Sequence, residues 1–344
     1  MQNLIMATAL TAIATPAKRR LVAQTRRLEA VQAEFLQSLL QAHRDTAFGR
    51  EHHLGEIRTI DQFRDRIPVQ PYAAFDPYLQ RMAHGEANVL VPDPLIYFNI
   101  SSGSTGTKKL IPVTKRSRQF LSRASRAAIG FVFSAAAREK RPPGKMLFPI
   151  STNDHGQTPS GIPYAPVSTS DMRLMDAVSR QIFAYPFDVF QIADTTARSY
   201  ACLLFALRNR ALRTISATFP VLALQMCTFL ATHADALIQD IAAGTIASWL
   251  TLDPHLRQVL ERQWSASPQR ATELRQVLKT QGRLTPELAW PGLSFMITAR
   301  GGTSDFYFER FPEYFGNLPI FGGTYACAEG VMGVHRDFNT DSVI

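Results

Sequence analysis

Leu95-Ile96-Tyr97-Phe98-Asn99-Ile100-Ser101-Ser102-Gly103-Ser104-Thr105-Gly106-Thr107-Lys108-Lys109-Leu110-Ile111-Pro112-Val113 is the stretch on which the fold turns. Its two apolar ends, 95–100 and 110–113, are rich in β-branched and aromatic residues and read as short strands. Between them, residues 101–109 carry five hydroxyls, two glycines and two lysines. Glycine lets backbone approach a ligand closely, hydroxyls and free N–H groups donate to anionic oxygens, and lysine supplies countercharge. That is the chemistry of a triphosphate cradle. Ser, Gly, Thr and Lys are equally ordinary in a polar hairpin turn, so composition leaves both readings open. The spacing is not that of a P-loop, because no Gly stands at the required offset before Lys-Ser or Lys-Thr. Nor does G-x-G-x-x-G open a helix here, which removes support for a dinucleotide fold.

Toward the N-terminus the pattern is helical. Leu28, Val31, Phe35 and Leu39 keep one face of a helix expected around residues 19–43. Thr59-Ile60-Asp61-Gln62 reads as a capping box opening a short helix that stops before Pro68. Tyr72, Phe75, Leu79 and Met82 share another helical face, closed by Gly85. Residues 1–90 are thus a mainly helical front section.

Past the loop, Thr114 can cap a helix reaching about Lys140, with Phe120, Ala124, Ala127 and Phe131 as a core-facing stripe. Pro142-Pro143-Gly144 breaks it, and residues 145–150 read as a strand. Residues 151–170 lack periodicity, so they are expected to line a pocket, act as a lid or make a surface excursion. His155 within them has no nucleophile-elbow partner. Helix is expected over 194–207, strand over 212–219, helices over 222–230 and 236–241, and strand over 293–299. A helical stretch over 305–314 and a strand over 318–321 complete an alternation that argues for an α/β domain with a mostly parallel sheet. Two glycine-rich bends follow its last strands, Arg300-Gly301-Gly302-Thr303 and Gly322-Gly323-Thr324-Tyr325-Ala326-Cys327-Ala328-Glu329-Gly330. Open α/β sheets bind ligands at such carboxyl ends.

A chain of 344 residues with 46% hydrophobic content can bury a large core. The net charge of +9 suits anionic ligands, but the arginines are scattered and carry no nucleic-acid-binding signature. Cys202, Cys227 and Cys327 lack metal-ligand spacing, and residues 1–16 are apolar without a basic start. The uncharged run 215–233 contains Pro220 and several hydroxyls and reads as a buried helix. The expectation is a soluble, cytoplasmic protein with no nucleic-acid or membrane partner.

The loop resembles the Ser/Thr/Gly-rich phosphate loop of acyl-adenylate-forming enzymes, which ends in a lysine where Lys109 stands. From Ser101-Ser102-Gly103 through Lys109-Leu110-Ile111-Pro112 it resembles specifically the auxin-responsive GH3 family of acyl acid–amido synthetases. Phe63, Ile67-Pro68-Val69, Tyr72 and Gly85-Glu86 are similar to that family's opening section. Tyr325 and Glu329 look like its Tyr-x-x-(Ser/Thr)-Glu motif, although a core tyrosine beside a solvated glutamate would give the same letters. Lys108 and Ala328 depart from the family pattern, which has a small or apolar residue and a hydroxyl there.

The resemblance implies an incomplete N-terminal adenylating domain spanning residues 1–344, with mixed and parallel sheets flanked by helices. The family's ribose-binding acidic residue and C-terminal lid domain would lie beyond Ile344. It implies ATP-dependent adenylation of a carboxylic acid, then amide formation with an amino acid, by a fragment or truncated form. The implied ligands are ATP and Mg²⁺. Ser101, Ser102, Gly103, Ser104, Thr105, Gly106 and Lys109 would hold phosphates, Gly301 and Gly302 would admit the adenylate, Tyr325 would pack on adenine, and Glu329 would hold Mg²⁺. Lys109 and Glu329 are the implied catalytic pair. A non-catalytic relative that holds a small acid or nucleotide is the alternative.

Overall fold

The computed structural model describes residues 2–102, 108–153, 155–173, 175–176 and 179–344. Its strands are β1 (Leu95–Ser102), β2 (Lys108–Thr114), β3 (Lys145–Leu147), β4 (Gly156–Gln157), β5 (Pro163–Pro166), β6 (Leu212–Ala217), β7 (Phe295–Thr298), β8 (Ile320–Phe321), β9 (Thr324–Ala326) and β10 (Val331–Val334). They form a mixed sheet of order β2-β1-β5-β4, a parallel sheet of order β3-β6-β7-β8, and the hairpin β9-β10. The α/β expectation holds, with helices flanking the sheets.

The decisive stretch is an antiparallel hairpin, with Asn99 opposite Ile111 and Ser101 opposite Lys109. Residues 151–170, without periodicity in the sequence, contain two short strands, and Val167 borders the cleft described below. They supply β4 and β5, and β5 joins β1 in parallel, Asn99 lying beside Ala165. Pairing to β1 involves only Tyr164, Ala165 and Pro166, too few residues to show alternation.

Parallel strands need long crossovers, and helices fill them. Thr195–Arg208 lies between β3 and β6; Pro220–Thr232, Ala234–Ala243, Pro254–Arg262 and Pro268–Gln281 lie between β6 and β7. The main core forms where Leu147, Ile215 and Met296 meet Leu203, Leu204, Leu207, Leu230 and Leu237. Inside it the Tyr200 hydroxyl donates to Asp240 Oδ2 at 2.7 Å, and the same carboxylate accepts from Thr245 Oγ1 and the Ala247 amide. No single helix among the described residues is long and apolar enough to cross a membrane. The uncharged run ends instead in Pro220–Thr232, whose Ala223, Leu224, Met226, Cys227 and Leu230 face this core. The strand expected over 145–150 pairs only over Lys145–Leu147. The helix expected over 305–314 is two short ones, Ser304–Phe308 and Pro312–Phe315; Pro312, which has no N–H to extend the first helix, stands at the first position of the second.

The single helix expected over 19–43 is also two, Gln2–Thr25 and Leu28–His43. Arg27 sits at φ −137°, ψ 45°, outside the helical region, and its carbonyl starts the second helix. Gln2–Thr25 packs along Lys115–Arg138. Thr114 Oγ1 accepts from the Ser117 amide while Ser117 Oγ accepts from the Thr114 amide, a reciprocal cap that starts the latter. Gly130 allows the close approach: a Cβ there would stand 2.8 Å from Lys18 Cβ and 2.9 Å from the Ala14 carbonyl oxygen. The stripe expected to be core on this helix is only partly so. Phe131 packs with Phe295 and Phe321, but Phe120 is 41% exposed and meets Phe35 edge-on at 5.2 Å.

Candidate functional site: the cleft beside the β1–β2 hairpin

Side chains alternate across a strand, so Tyr97, Asn99 and Ser101 share one hairpin face with Val113, Ile111 and Lys109. Phe98 and Leu110 occupy the other, where they pack with Leu79, Met82 and Val89. The first face borders a cleft of about 530 Å³. Leu39, Val91, Ile111, Val113, Leu121 and Val167 give it apolar walls, and Cys327 through Val331 close its other side. The segment bearing Glu329 therefore meets the hairpin bearing Lys109 across one depression.

Lys109 does not itself line that cleft. Its Nζ lies 5.3 Å from the centroid of the Tyr72 ring. The Tyr72 hydroxyl donates to the Leu110 carbonyl at 3.1 Å and accepts from the Leu110 amide at 2.7 Å, fixing the ring against β2. Burial raises the Tyr72 hydroxyl pKa, which keeps it a donor. Residues 103–107, which include Gly103, Ser104, Thr105 and Gly106 of the expected cradle, lie outside the described residues.

The parallel sheet delivers the second part of the site. β7 leads to Arg300, whose Nε donates to Asp341 Oδ1 at 3.0 Å and whose guanidinium lies 5.1 Å from the Phe308 ring. Gly301 and Gly302 follow at φ +87° and +59°, and a Cβ on either would meet nothing within 4 Å. Glycine is needed there for the left-handed backbone, not for room. The bend after β8 is partly a hairpin: Tyr325 is on β9, opposite Gly333, with its ring 59% exposed. Tyr325, Gly301 and Gly302 stand outside the cleft walls. Glu329 is exposed and has no ion-pair partner among the described residues. Those residues contain no cluster of three or more His, Cys, Asp or Glu. A lone carboxylate still suits Mg²⁺, which keeps waters and shares its remaining positions with substrate phosphates.

Two cleft residues escaped sequence reasoning. Asn99 is 4% exposed, and its Oδ1 has no hydrogen-bond partner. Arg118, in the first turn of Lys115–Arg138, has a buried Nε without a partner. A polar residue inside the apolar run 95–100 is the signal that marks Asn99. Arg118 has none, since basic residues surround it in sequence.

The GH3 family N-terminal domain model matches residues 17–320 of the chain. Probable indole-3-acetic acid-amido synthetase GH3.1 of Arabidopsis thaliana is 26% identical over 324 residues, which cover 90% of this chain and 54% of that protein. Probable indole-3-acetic acid-amido synthetase GH3.12 of Oryza sativa subsp. japonica is 28% identical over 334 residues, covering 91% of this chain and 53% of that protein. Among solved structures, AtGH3.15 acyl acid amido synthetase in complex with 2,4-DB superposes with a TM-score of 0.78 at 21% identity, over 99% of this chain and 58% of that one. That last likeness is one of fold. The chain spans about half the length of the curated relatives it matches.

Proposed function

From the premise that the chain belongs to the GH3 family, we propose that it is the N-terminal adenylating domain, residues 1–344, of an ATP-dependent acid–amino acid ligase. The observation that carries this reading is the meeting of the Lys109 hairpin and the Glu329 segment at one cleft. The acid's carboxylate oxygen attacks the α-phosphorus of ATP, the bond to pyrophosphate breaks, and an acyl-adenylate remains. The amino group of an amino acid then attacks the acyl carbon, AMP leaves, and the nitrogen gives up one proton.

Catalysis of this kind is positioning and charge neutralisation. Lys109, with Ser101, Ser102, Ser104 and Thr105 and the amides of Gly103 and Gly106, supplies cation and donors to the phosphates. Glu329 supplies the carboxylate for Mg²⁺. The exposed ring of Tyr325 offers a flat face to adenine, and the open backbone at Gly301 and Gly302 lets the adenylate lie close. Small carboxylic and amino acids are the partners on this reading, in a cytoplasmic setting without nucleic acid or membrane. The dispersal of arginines into separate exposed pairs, such as Arg27–Glu34 and Arg283–Glu313, supports leaving nucleic acid out.

The test is acid-dependent exchange of pyrophosphate into ATP, together with calorimetric binding of Mg·ATP. Lys109→Ala and Glu329→Ala should each weaken ATP binding about tenfold or more, the loss of one charged contact. Unchanged ATP affinity in both variants would defeat the reading. Ala328, which forms part of the cleft wall where the family motif has a hydroxyl, favours a second reading. On that reading the chain holds nucleotide or acid without joining them, and ATP raises the melting temperature while no exchange occurs.

A further inference from the structure

At the amino ends of the parallel strands, opposite the glycine bends, three arginines converge. Arg208 ends the helix Thr195–Arg208, Arg210 lies in the turn that enters β6, and Arg270 stands in the first turn of Pro268–Gln281. All three border one pocket of about 440 Å³, together with Asn209, Ala211 and Ser267. Among the described residues, Glu273 is the one carboxylate that pairs with any of them. It accepts from Arg210 Nε at 3.1 Å and from Arg210 Nη2, and Arg270 Nη1 lies 3.2 Å from its Oε2. Arg270 spends its other donors on the Leu207 and Ala289 carbonyls. Arg208 is placed differently. Its guanidinium lies 4.5 Å from the Trp264 ring, and its Nη1 donates to the Ser265 carbonyl at 3.1 Å and to Ser265 Oγ at 2.9 Å. Its Nε and Nη2 form the edge with which Arg210 grips a carboxylate, and at Arg208 that edge holds nothing among the described residues. Burial lowers the Arg208 pKa, and no carboxylate acts in the other direction. A partly desolvated cation without a counter-ion is costly, and a bound anion recovers that cost. Asn209 uses its amide oxygen on the Ala211 amide, which leaves its nitrogen to donate, and Ser267 makes no side-chain bond to its helix.

We propose that this pocket binds a phosphate dianion, either the free ion or the end of a small phosphomonoester. The Nε–Nη2 edge of Arg208 takes two phosphate oxygens side by side, the geometry in which a guanidinium binds phosphate best. Asn209 and Ser267 donate to the remaining oxygens. Arg210 and Arg270, held in place by Glu273, contribute charge more than contacts. Three guanidiniums against one carboxylate leave two positive charges, which a dianion balances. A simple carboxylate brings one charge and leaves the second unmet. A phosphodiester also carries one, which disfavours a nucleic-acid backbone. A triphosphate brings more charge than the pocket balances. The positive end of Pro268–Gln281 adds to the attraction without being needed for it. The site shares no residue with those assigned to ATP, so it is independent of the ligase reading.

The experiment is calorimetric titration of the chain at fixed ionic strength and about pH 7.5, where a phosphomonoester is a dianion. The probes are phenyl phosphate, inorganic phosphate, methyl phenyl phosphate (a diester) and benzoate. Phenyl phosphate should bind, and the diester and benzoate should bind about tenfold more weakly or worse. Inorganic phosphate binding as tightly as phenyl phosphate supports the site and assigns it to the free ion; weaker binding supports it and assigns it to a monoester. Arg208→Gln should cost about tenfold in phenyl phosphate affinity, the loss of a charged bidentate contact. Ser267→Asp sets a carboxylate at the pocket and should abolish phosphate binding. It should leave the melting temperature unchanged or higher, because aspartate caps a helix well, so lost binding in this variant is not lost folding. Lys109→Ala should bind phenyl phosphate as the native chain does. Binding lost in Lys109→Ala and kept in Arg208→Gln would move the anion to the β1–β2 hairpin and overturn the proposal. No binding of either phosphate, benzoate or the diester binding as tightly as phenyl phosphate, or unchanged affinity in both Arg208→Gln and Ser267→Asp would overturn it too.

Discussion

Cys327 lines the cleft and is exposed, whereas Cys202 and Cys227 are buried in the main core. Burial pushes the Cys202 thiol up to about 12 and raises that of Cys227 as well. A thiolate is the reactive form, so neither core cysteine should alkylate in the native protein. Treatment with a maleimide should therefore label one thiol natively and all three after denaturation, and peptide mapping should find the native adduct on Cys327. Labelling of Cys202 or Cys227 under native conditions would mean that the core around Thr195–Arg208 opens readily. Gly301 makes a second residue-scale case. Its φ of +87° with open space around the missing Cβ isolates backbone strain from any clash. Gly301→Ala should lower unfolding free energy by about 1–2 kcal/mol in denaturant titration. A loss well above that range would show that the loop packs against something more than solvent.

At the scale of elements, the close crossing of Gln2–Thr25 over Lys115–Arg138 depends on Gly130. Gly130→Val would drive two methyl groups into Lys18 and the Ala14 carbonyl, and should cost about 2 kcal/mol or more, read as a fall in the denaturation midpoint. The capped helix itself was legible from Thr114 and its apolar spacing, as was the hairpin from its two β-branched runs. The parallel sheet followed from the strand–helix alternation. What stayed hidden has physical causes. β5 pairs with β1 through three residues, two breaks fall within helical runs at Arg27 and before Pro312, and the Phe120–Ala124 end of the apolar stripe faces a cleft while its Phe131 end is core. The site was half legible in the same way. The candidates Lys109 and Glu329 stood out through residue type, but the cleft that Glu329 borders and Lys109 does not line is formed where Leu28–His43, Lys115–Arg138 and Val167 meet beside the hairpin, which no local pattern encodes. Arg118 became visible only as a buried atom without a partner, whereas Asn99 left one trace in the sequence, a polar residue inside an apolar run.

At the scale of the whole molecule, His335 ties the last described residues to the bend after β8. The imidazole is 2% exposed, its Nδ1 lies 3.3 Å from the Gly323 carbonyl, and the Val334–Ile344 backbone pair closes the segment beyond it. Burial is the main cause that lowers its pKa from the ordinary 6.5, Arg300 adding to the effect while the Gly323 carbonyl and Asp341 oppose it. A histidine depressed in the folded state binds its proton more readily when the chain unfolds, so unfolding takes up a proton as the solution turns acidic. Its contribution to stability is complete above the unfolded value and is lost as pH falls through the lower, folded value. Denaturant midpoints measured from about pH 7.5 down to about pH 5 should therefore decline, and His335→Gln should show a lower midpoint at neutral pH with a flatter decline across that window. Comparing the two slopes cancels the other histidines, which are common to both proteins. Equal slopes would mean that His335 reaches solvent in the native state, and with it that the bend carrying Gly322 and Gly323 is not held shut by this segment.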